Sequence, residues 1–79
     1  MTMTADRETL VLEENLHRLI RDYERRVLGF EARYEIESAD LAVELAAGRL
    51  RETAEVAEWV ITWRTLEALR SEVPTAPVA

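Results

Sequence analysis

The chain has 79 residues and contains no cysteine, one histidine, two glycines and two prolines. Without cysteine it can form neither a disulfide nor a thiolate metal site, and it offers no thiol nucleophile. The absence of cysteine also fits a reducing compartment. No run approaches the roughly 20 apolar residues of a membrane span, and residues 1–6 lack the basic and apolar segments of a signal peptide. We therefore expect a cytoplasmic protein that has no membrane partner.

Lysine is also missing, so that all ten basic residues are Arg, against sixteen Asp and Glu and a net charge of -6. Nonspecific binding to DNA or RNA depends on several uncompensated cations, which displace counterions from the phosphates. Here the charge is not segregated, because residues 6–35, 36–53 and 54–79 each carry two more acidic residues than Arg. The composition therefore disfavours nucleic acid as a partner.

The longest helical pattern covers about residues 9–34 and follows a predicted flexible arm at residues 1–8. Its apolar residues are spaced four, three, four, three and four apart, which turns one helix face towards a neighbour. We call them the first-helix stripe, and they are Leu16, Ile20, Tyr23, Val27, Phe30 and Tyr34. A helix over residues 9–34 would be about 39 Å long, longer than a small globule is usually wide. We therefore expect part of the first-helix stripe to bind a second chain.

Two shorter helices are predicted downstream, at about residues 39–47 and 54–72. Ser38 and Thr53 precede them as predicted N-caps, and Gly48 is suited to the end of the middle helix. Pro74 stops the last helix, and residues 73–79 are predicted to be a disordered tail.

The pattern predicts an all-α fold in a single domain over residues 9–72. In this fold a long N-terminal helix, a short middle helix and a third helix form a small bundle. So short a chain buries too little surface for ample stability, and we therefore expect oligomerisation to complete the bundle. Trp59 and Trp63 lie on one face of the third helix. Rigid aromatic rings at this spacing suit either the core or a binding hot spot.

Few residues in the sequence suggest a reactive site. His17 has no second His and no Cys with which to hold a metal ion, and three short helices offer little concavity for acid–base catalysis. Paired carboxylates such as Glu13 and Glu14 are typical of a solvated helix face. We therefore predict that the protein is not an enzyme and uses no metal, no cofactor and no small-molecule substrate.

A patch of arginines and the order of the last two helices each allow more than one interpretation. Arg18, Arg21 and Arg25 lie on one side of the first helix, where they would either dock an acidic surface or be neutralised by neighbouring acids. The second and third helices invite comparison with a helix-turn-helix. Glu55 and Glu58 would then face the phosphates, which disfavours DNA binding.

The order of features over residues 27–70 resembles small acidic helical proteins encoded beside toxin-like genes in bacteria and archaea. The matching positions are the segment YEIESADL at residues 34–41, Gly48 followed by Leu50, Glu58 with Trp59, and Leu66 with Leu69. In that family a turn leads through a capping Ser or Thr into a short helix, a Gly-aliphatic turn and a helix bearing Glu-Trp. Glu35 stands where the family tends to have Gly, and Leu41 where an aromatic residue is common. The resemblance implies an antitoxin or accessory subunit that binds and masks a partner protein.

Our leading hypothesis is therefore a protein–protein interaction module. Its predicted partners are a second copy of the chain, as a homodimer, and a cognate toxin-like protein. The predicted partner-binding residues are the first-helix stripe together with Trp59 and Trp63. One alternative is a structural homo-oligomer, in which the first helices pair as a coiled coil and no other partner binds. Another is a transcriptional autoregulator of its own operon.

Overall fold

The computed structural model of the chain describes residues 2–73, with side chains from Leu12 onward. Its elements are helix α1 (Thr2–Tyr34), a 3₁₀ turn (Ser38–Asp40), helix α2 (Leu41–Ala46) and helix α3 (Ala54–Glu72). Helices α1 and α3 pack against each other, and the described part of the chain contains no strand. The predicted all-α class with three helices is therefore confirmed. Of the tail predicted over residues 73–79, Val73 is half-buried and packs on the core, and residues 74–79 lie outside the described residues.

Helix α1 begins at Thr2, ahead of the predicted start near Thr9. Residues 2–8 contain neither Gly nor Pro, so nothing in the backbone stops the helix from continuing towards the N-terminus. Met1 lies outside the described residues. At 33 residues α1 is about 50 Å long, whereas the 19 residues of α3 span about 28 Å. Since α1 is much longer, it extends well past the end of α3.

The core lies between α1 and α3 of the same chain. Ile20 and Val27 from α1 are buried with Leu66 from α3. Half-buried apolar side chains surround these three, namely Leu16, Tyr23, Trp63, Leu69 and Val73. The chain therefore packs most of its first-helix stripe against its own third helix. No described helix combines the length and apolar content that a bilayer crossing requires.

Helix α1 ends in a left-handed residue. Glu35 has a φ of 55°, and its backbone N–H donates to the Glu31 carbonyl at 2.7 Å. This is the αL type of helix end, which glycine adopts without steric cost. Here a Glu side chain stands at a backbone conformation that favours glycine.

The link from α1 to α2 corrects one prediction. The sequence predicts that Ser38 caps the middle helix, but neither the 3₁₀ turn nor α2 has a side-chain cap. The backbone N–H of Ser38 instead donates to Glu31 Oε2 at 2.7 Å, and its hydroxyl points into the core. The prediction is wrong because the serine hydroxyl has a buried partner available on α3. Thr53 does cap α3, since its Oγ1 accepts from the Val56 N–H at 3.2 Å.

Helix α2 ends at Ala46, and Gly48, two residues further on, has a left-handed φ of 74°. The Glu44 carbonyl accepts the backbone N–H groups of Arg49 at 3.0 Å and Leu50 at 3.3 Å, which closes the turn. The Glu44 carboxylate also binds the Arg49 guanidinium, with Oε2 to Nε at 2.8 Å. These contacts reverse the chain so that α3 can return along α1.

We predict that Glu35→Gly stabilises the fold by about 1 kcal/mol, because it removes the steric cost of a side chain at positive φ. The matched control is Glu37→Gly, since Glu37 has an extended backbone with a φ of -75° and there glycine only adds freedom to the unfolded chain. Thermal and urea unfolding followed by circular dichroism would measure both. Equal destabilisation by the two substitutions would show that the turn at residue 35 is not strained.

Candidate functional site

Trp59 is fully buried, with 0% of its surface exposed. Its indole Nε1 donates to Ser38 Oγ at 2.8 Å, and its ring stacks on Phe30 at 5.7 Å and on Tyr34 at 5.2 Å between centroids. Within the folded chain this predicted binding residue thus presents no surface to a partner. Its position makes it a core residue that joins α1, the 3₁₀ turn and α3.

A polar cluster closes the end of the bundle beside Trp59. The Tyr34 hydroxyl and the Arg33 guanidinium both donate to the carboxylate of Glu55, one to each oxygen. The hydrogen bond to Glu55 is the main cause that raises the pKa of Tyr34 above its ordinary value of 10.0, with burial adding to it. Glu55, which in the sequence is an obstacle to DNA binding, therefore connects α3 to the end of α1.

The predicted partner-binding residues fall into two groups. Ile20, Val27 and Trp59 are buried, at 8%, 4% and 0% exposure. The other members are only half-buried, and these are Leu16, Tyr23, Phe30, Tyr34 and Trp63. Because the stripe residues of α1 pack against α3 of the same chain, the first-helix stripe is mainly an intramolecular seam. Only its half-buried edges and its N-terminal end remain accessible to another molecule.

Several large apolar side chains outside this seam are exposed. They are Leu12 at 68%, Leu19 at 43%, Leu28 at 63%, Val43 at 60% and Ile61 at 65%. Leu12 and Leu19 lie on α1 at either side of Leu16, which is half-buried and belongs to the seam, and we call these three residues the Leu12 stripe. Apolar spacing does not single out Leu28, because it lies off the four-three repeat. In the sequence, Leu28 is distinguished only by the charged residues close to it.

A groove runs along Trp63, between α1 and α3. We call it the Trp63 groove; Val27, Leu28, Trp63 and Leu66 line it, with Glu24, Glu31 and Arg70 at its rims. Its volume is about 470 Å³. On the far side of Trp63 a second hollow of about 200 Å³ continues between α2 and α3. Trp63 therefore separates two apolar hollows on one side of the bundle.

The ion pairs of charged side chains on α1 and α3 are mostly exposed to solvent. At the rim of the groove Arg70 Nη2 lies 3.0 Å from Glu24 Oε2, and the Arg70 guanidinium also lies 5.9 Å from the centre of the Trp63 ring. Exposed pairs of this kind contribute little to stability.

The predicted arginine patch and His17 are exposed. Arg25 lies 3.9 Å from Asp22, which agrees with neutralisation by a neighbouring acid for this one residue. Arg18, Arg21 and His17 are exposed on α1. Among the described residues no group of three His, Asp or Glu side chains is arranged to hold a metal ion.

Comparison with family models, with curated proteins and with solved structures finds no match to this chain. Its own residues and surfaces therefore carry the case for a function.

We predict that Ser38→Ala destabilises the fold by about 1–3 kcal/mol, because it leaves the buried Trp59 N–H without an acceptor. Ser71→Ala is the matched control, since the Ser71 hydroxyl is exposed and bonds only to the Ala68 carbonyl of its own helix. Its effect should stay within about 0.5 kcal/mol. Urea unfolding would measure both variants. If the Ser38→Ala change matched that of Ser71→Ala, the buried hydrogen bond would have no role in stability.

We predict that Tyr34 titrates above pH 10 in the folded protein. In the variant Tyr23→Phe, Tyr34 is the single tyrosine, and absorbance of the tyrosinate would report its pKa directly. Because the pKa is raised by folding, its contribution to stability is present below about pH 10 and is lost as the pH rises through the folded value. Adding Glu55→Gln should bring the midpoint back towards 10, since it removes the carboxylate. The same midpoint with and without Glu55 would contradict the cause assigned here.

Proposed function

We propose that this chain is a protein–protein interaction module with the role of an antitoxin-like or accessory subunit, which binds and masks a partner protein. The observation that carries the proposal is the exposed Leu12 stripe, where Leu12 and Leu19 are 68% and 43% exposed. It belongs to the same face of α1 that packs on α3. An apolar helix face that continues beyond its own core is suited to a groove on another protein.

The lengths of the helices explain why Leu12, at the end of this stripe, is uncovered. Val73, just after the end of α3, packs on the same core cluster as Leu16. Helix α1 continues from there towards Thr2, and within the described residues no other element runs beside it. Leu12 therefore lies past the point where α3 can cover α1.

The charge around the stripe supports a basic partner. Residues 6–14 include four acidic residues and one Arg, and Glu13 and Glu14 directly follow Leu12. An apolar strip with acidic neighbours complements an apolar groove with a basic rim, and such complementarity raises association rates and selects partners. The RNA-directed surface of a toxin would be basic, which is consistent with a masking role.

A coiled-coil homo-oligomer is less well supported. Since α3 already packs along the first-helix stripe from Leu16 towards Tyr34, the side chains described from Leu12 onward leave Leu12 and Leu19 as the exposed leucines that paired first helices would share on this face. Two exposed leucines form a short seam for a stable coiled coil. The exposed stripe thus favours a partner that brings a complementary surface of its own.

The proposal predicts that the chain forms a complex with the product of the neighbouring gene and restores the growth which that product inhibits. Leu12→Glu should abolish both effects, because it places a charge at the most exposed leucine of the apolar strip. The matched control is Ile61→Glu, since Ile61 is 65% exposed on α3 and lies outside the stripe. It should bind and rescue like the wild type. Co-purification from cells and growth curves would measure the outcome.

Each other result counts against the proposal. Absence of both complex and rescue with the wild-type chain would reject the masking role. Equal binding by the two variants would show that the partner does not use the Leu12 stripe. Circular dichroism would establish that both variants keep their helices.

A further inference from the structure

A row of exposed side chains follows the outer face of α1. We call it the outer row, and its members are spaced three, four, three and four residues apart, namely Arg18, Arg21, Arg25, Leu28 and Ala32. Arg18, Arg25 and Ala32 each come two residues after a member of the first-helix stripe, about 200° further round the helix. Because α3 packs on that stripe, the outer row faces away from α3. The row is about 21 Å long, basic at one end and apolar at the other.

The acidic residues next to the row leave its charges largely uncompensated. Glu24 lies close to the row in the sequence, but its Oε2 pairs with an arginine of α3 at 3.0 Å. Asp22 Oδ1 is 3.9 Å from Arg25 Nη1, and the side chain of that arginine stays 80% exposed. Arg18 and Arg21 take part in none of the ion pairs among the described side chains. The row therefore presents guanidinium groups that the chain itself does not use.

The arginines of the row also repel one another. Arg18 and Arg21 are three residues apart and Arg21 and Arg25 four, and side chains at these spacings are neighbours on a helix surface. Like charges four residues apart destabilise a helix. An acidic partner removes this repulsion, because each guanidinium then pairs with a carboxylate, to which it can donate two parallel hydrogen bonds.

The spacing of the row fits a second helix. Along the axis of α1 the three arginines are about 4.5 and 6 Å apart, and residues at the same three-four spacing on another helix repeat at these distances. Carboxylates at such positions would face the arginines in register. Leu28, which is 63% exposed, and Ala32 continue the row past its charges. They offer an apolar contact to the same partner helix.

A nucleic acid fits this face less well. Phosphates gain nothing from the apolar end of the row, and the net charge of -6 repels a long polyanion. A short helix needs only a local match of charge. The outer row therefore favours a protein segment that carries both acidic and apolar residues.

We infer that the outer row binds an amphipathic helix of another protein, whose acidic residues pair with the three arginines and whose apolar residues cover Leu28 and Ala32. The inference goes beyond the masking role, because the Leu12 stripe lies on a different side of α1 and is flanked by acidic residues. Binding at either surface does not require binding at the other.

The test uses a labelled synthetic helical peptide as the probe. It carries glutamate at three positions spaced three and four apart, followed at the same spacing by leucine and alanine. The peptide is made in both sequence directions, because the row accepts a helix of either polarity. Fluorescence anisotropy should show saturable binding of one of the two peptides to the full-length chain. Replacing the three glutamates by glutamine should abolish it.

Two double variants separate local pairing from net charge. Arg18→Gln with Arg21→Gln removes two charges from the row and keeps helix propensity, so the dissociation constant of the probe should rise at least about tenfold. The matched control is Arg51→Gln with Arg64→Gln. It also removes two positive charges, from a net charge of -6 to -8, but at exposed arginines outside the row. Because distant surface charges are screened by salt, its dissociation constant should stay within about twofold of the wild type.

A third variant tests the apolar end of the row. Leu28→Gln leaves every charge in place and should also weaken binding of the probe. Absence of saturable binding would overturn the inference, as would equal losses in the two double variants or an unchanged dissociation constant in Leu28→Gln. A single-stranded RNA that binds the row more tightly than the peptide would also overturn it. So would a wild-type dimer, seen by sedimentation equilibrium, that Arg18→Gln with Arg21→Gln dissociates, because a second copy would then cover the row.

Discussion

The buried indole of Trp59 joins the segments on which the rest of the fold depends. Its ring stacks between the aromatic side chains at the end of α1, and its N–H reaches the hydroxyl of Ser38 in the 3₁₀ turn. Burial of a ring this large contributes more to a small core than any other single side chain, but only while its N–H has an acceptor. The position of the 3₁₀ turn, and with it α2, depends on this requirement.

The same interaction explains where sequence reasoning succeeds and where it fails. Periodicity predicts three helices, because apolar spacing on α1 and α3 reports directly which face of each helix is buried. It cannot assign Ser38, since a serine before a helix is a good cap and nothing local indicates a tryptophan twenty-one residues away. Trp59 and Trp63 look equivalent in the sequence. They differ in the structure because only Trp59 lies between two aromatic rings of α1.

The candidate surfaces are less predictable than the fold. The spacing of the first-helix stripe predicts a contact with a second chain, whereas most of the stripe packs on α3. Periodicity identifies an apolar face but does not say which helix covers it. Leu28 escapes prediction because it lies off the four-three repeat of α1, and periodicity does not report how far a residue at the edge of that repeat is covered.

The exposed apolar surfaces of the described chain go with helices of unequal length. Helix α1 extends beyond α3 at one end, which exposes Leu12, and the six-residue α2 does not line the groove along Trp63, beside which Leu28 is exposed. Only six apolar residues of the described chain are buried, so the isolated domain has little stability to spare. Any molecule that binds the folded chain alone then stabilises it by mass action. A partner that binds the folded chain would therefore also shift its folding equilibrium.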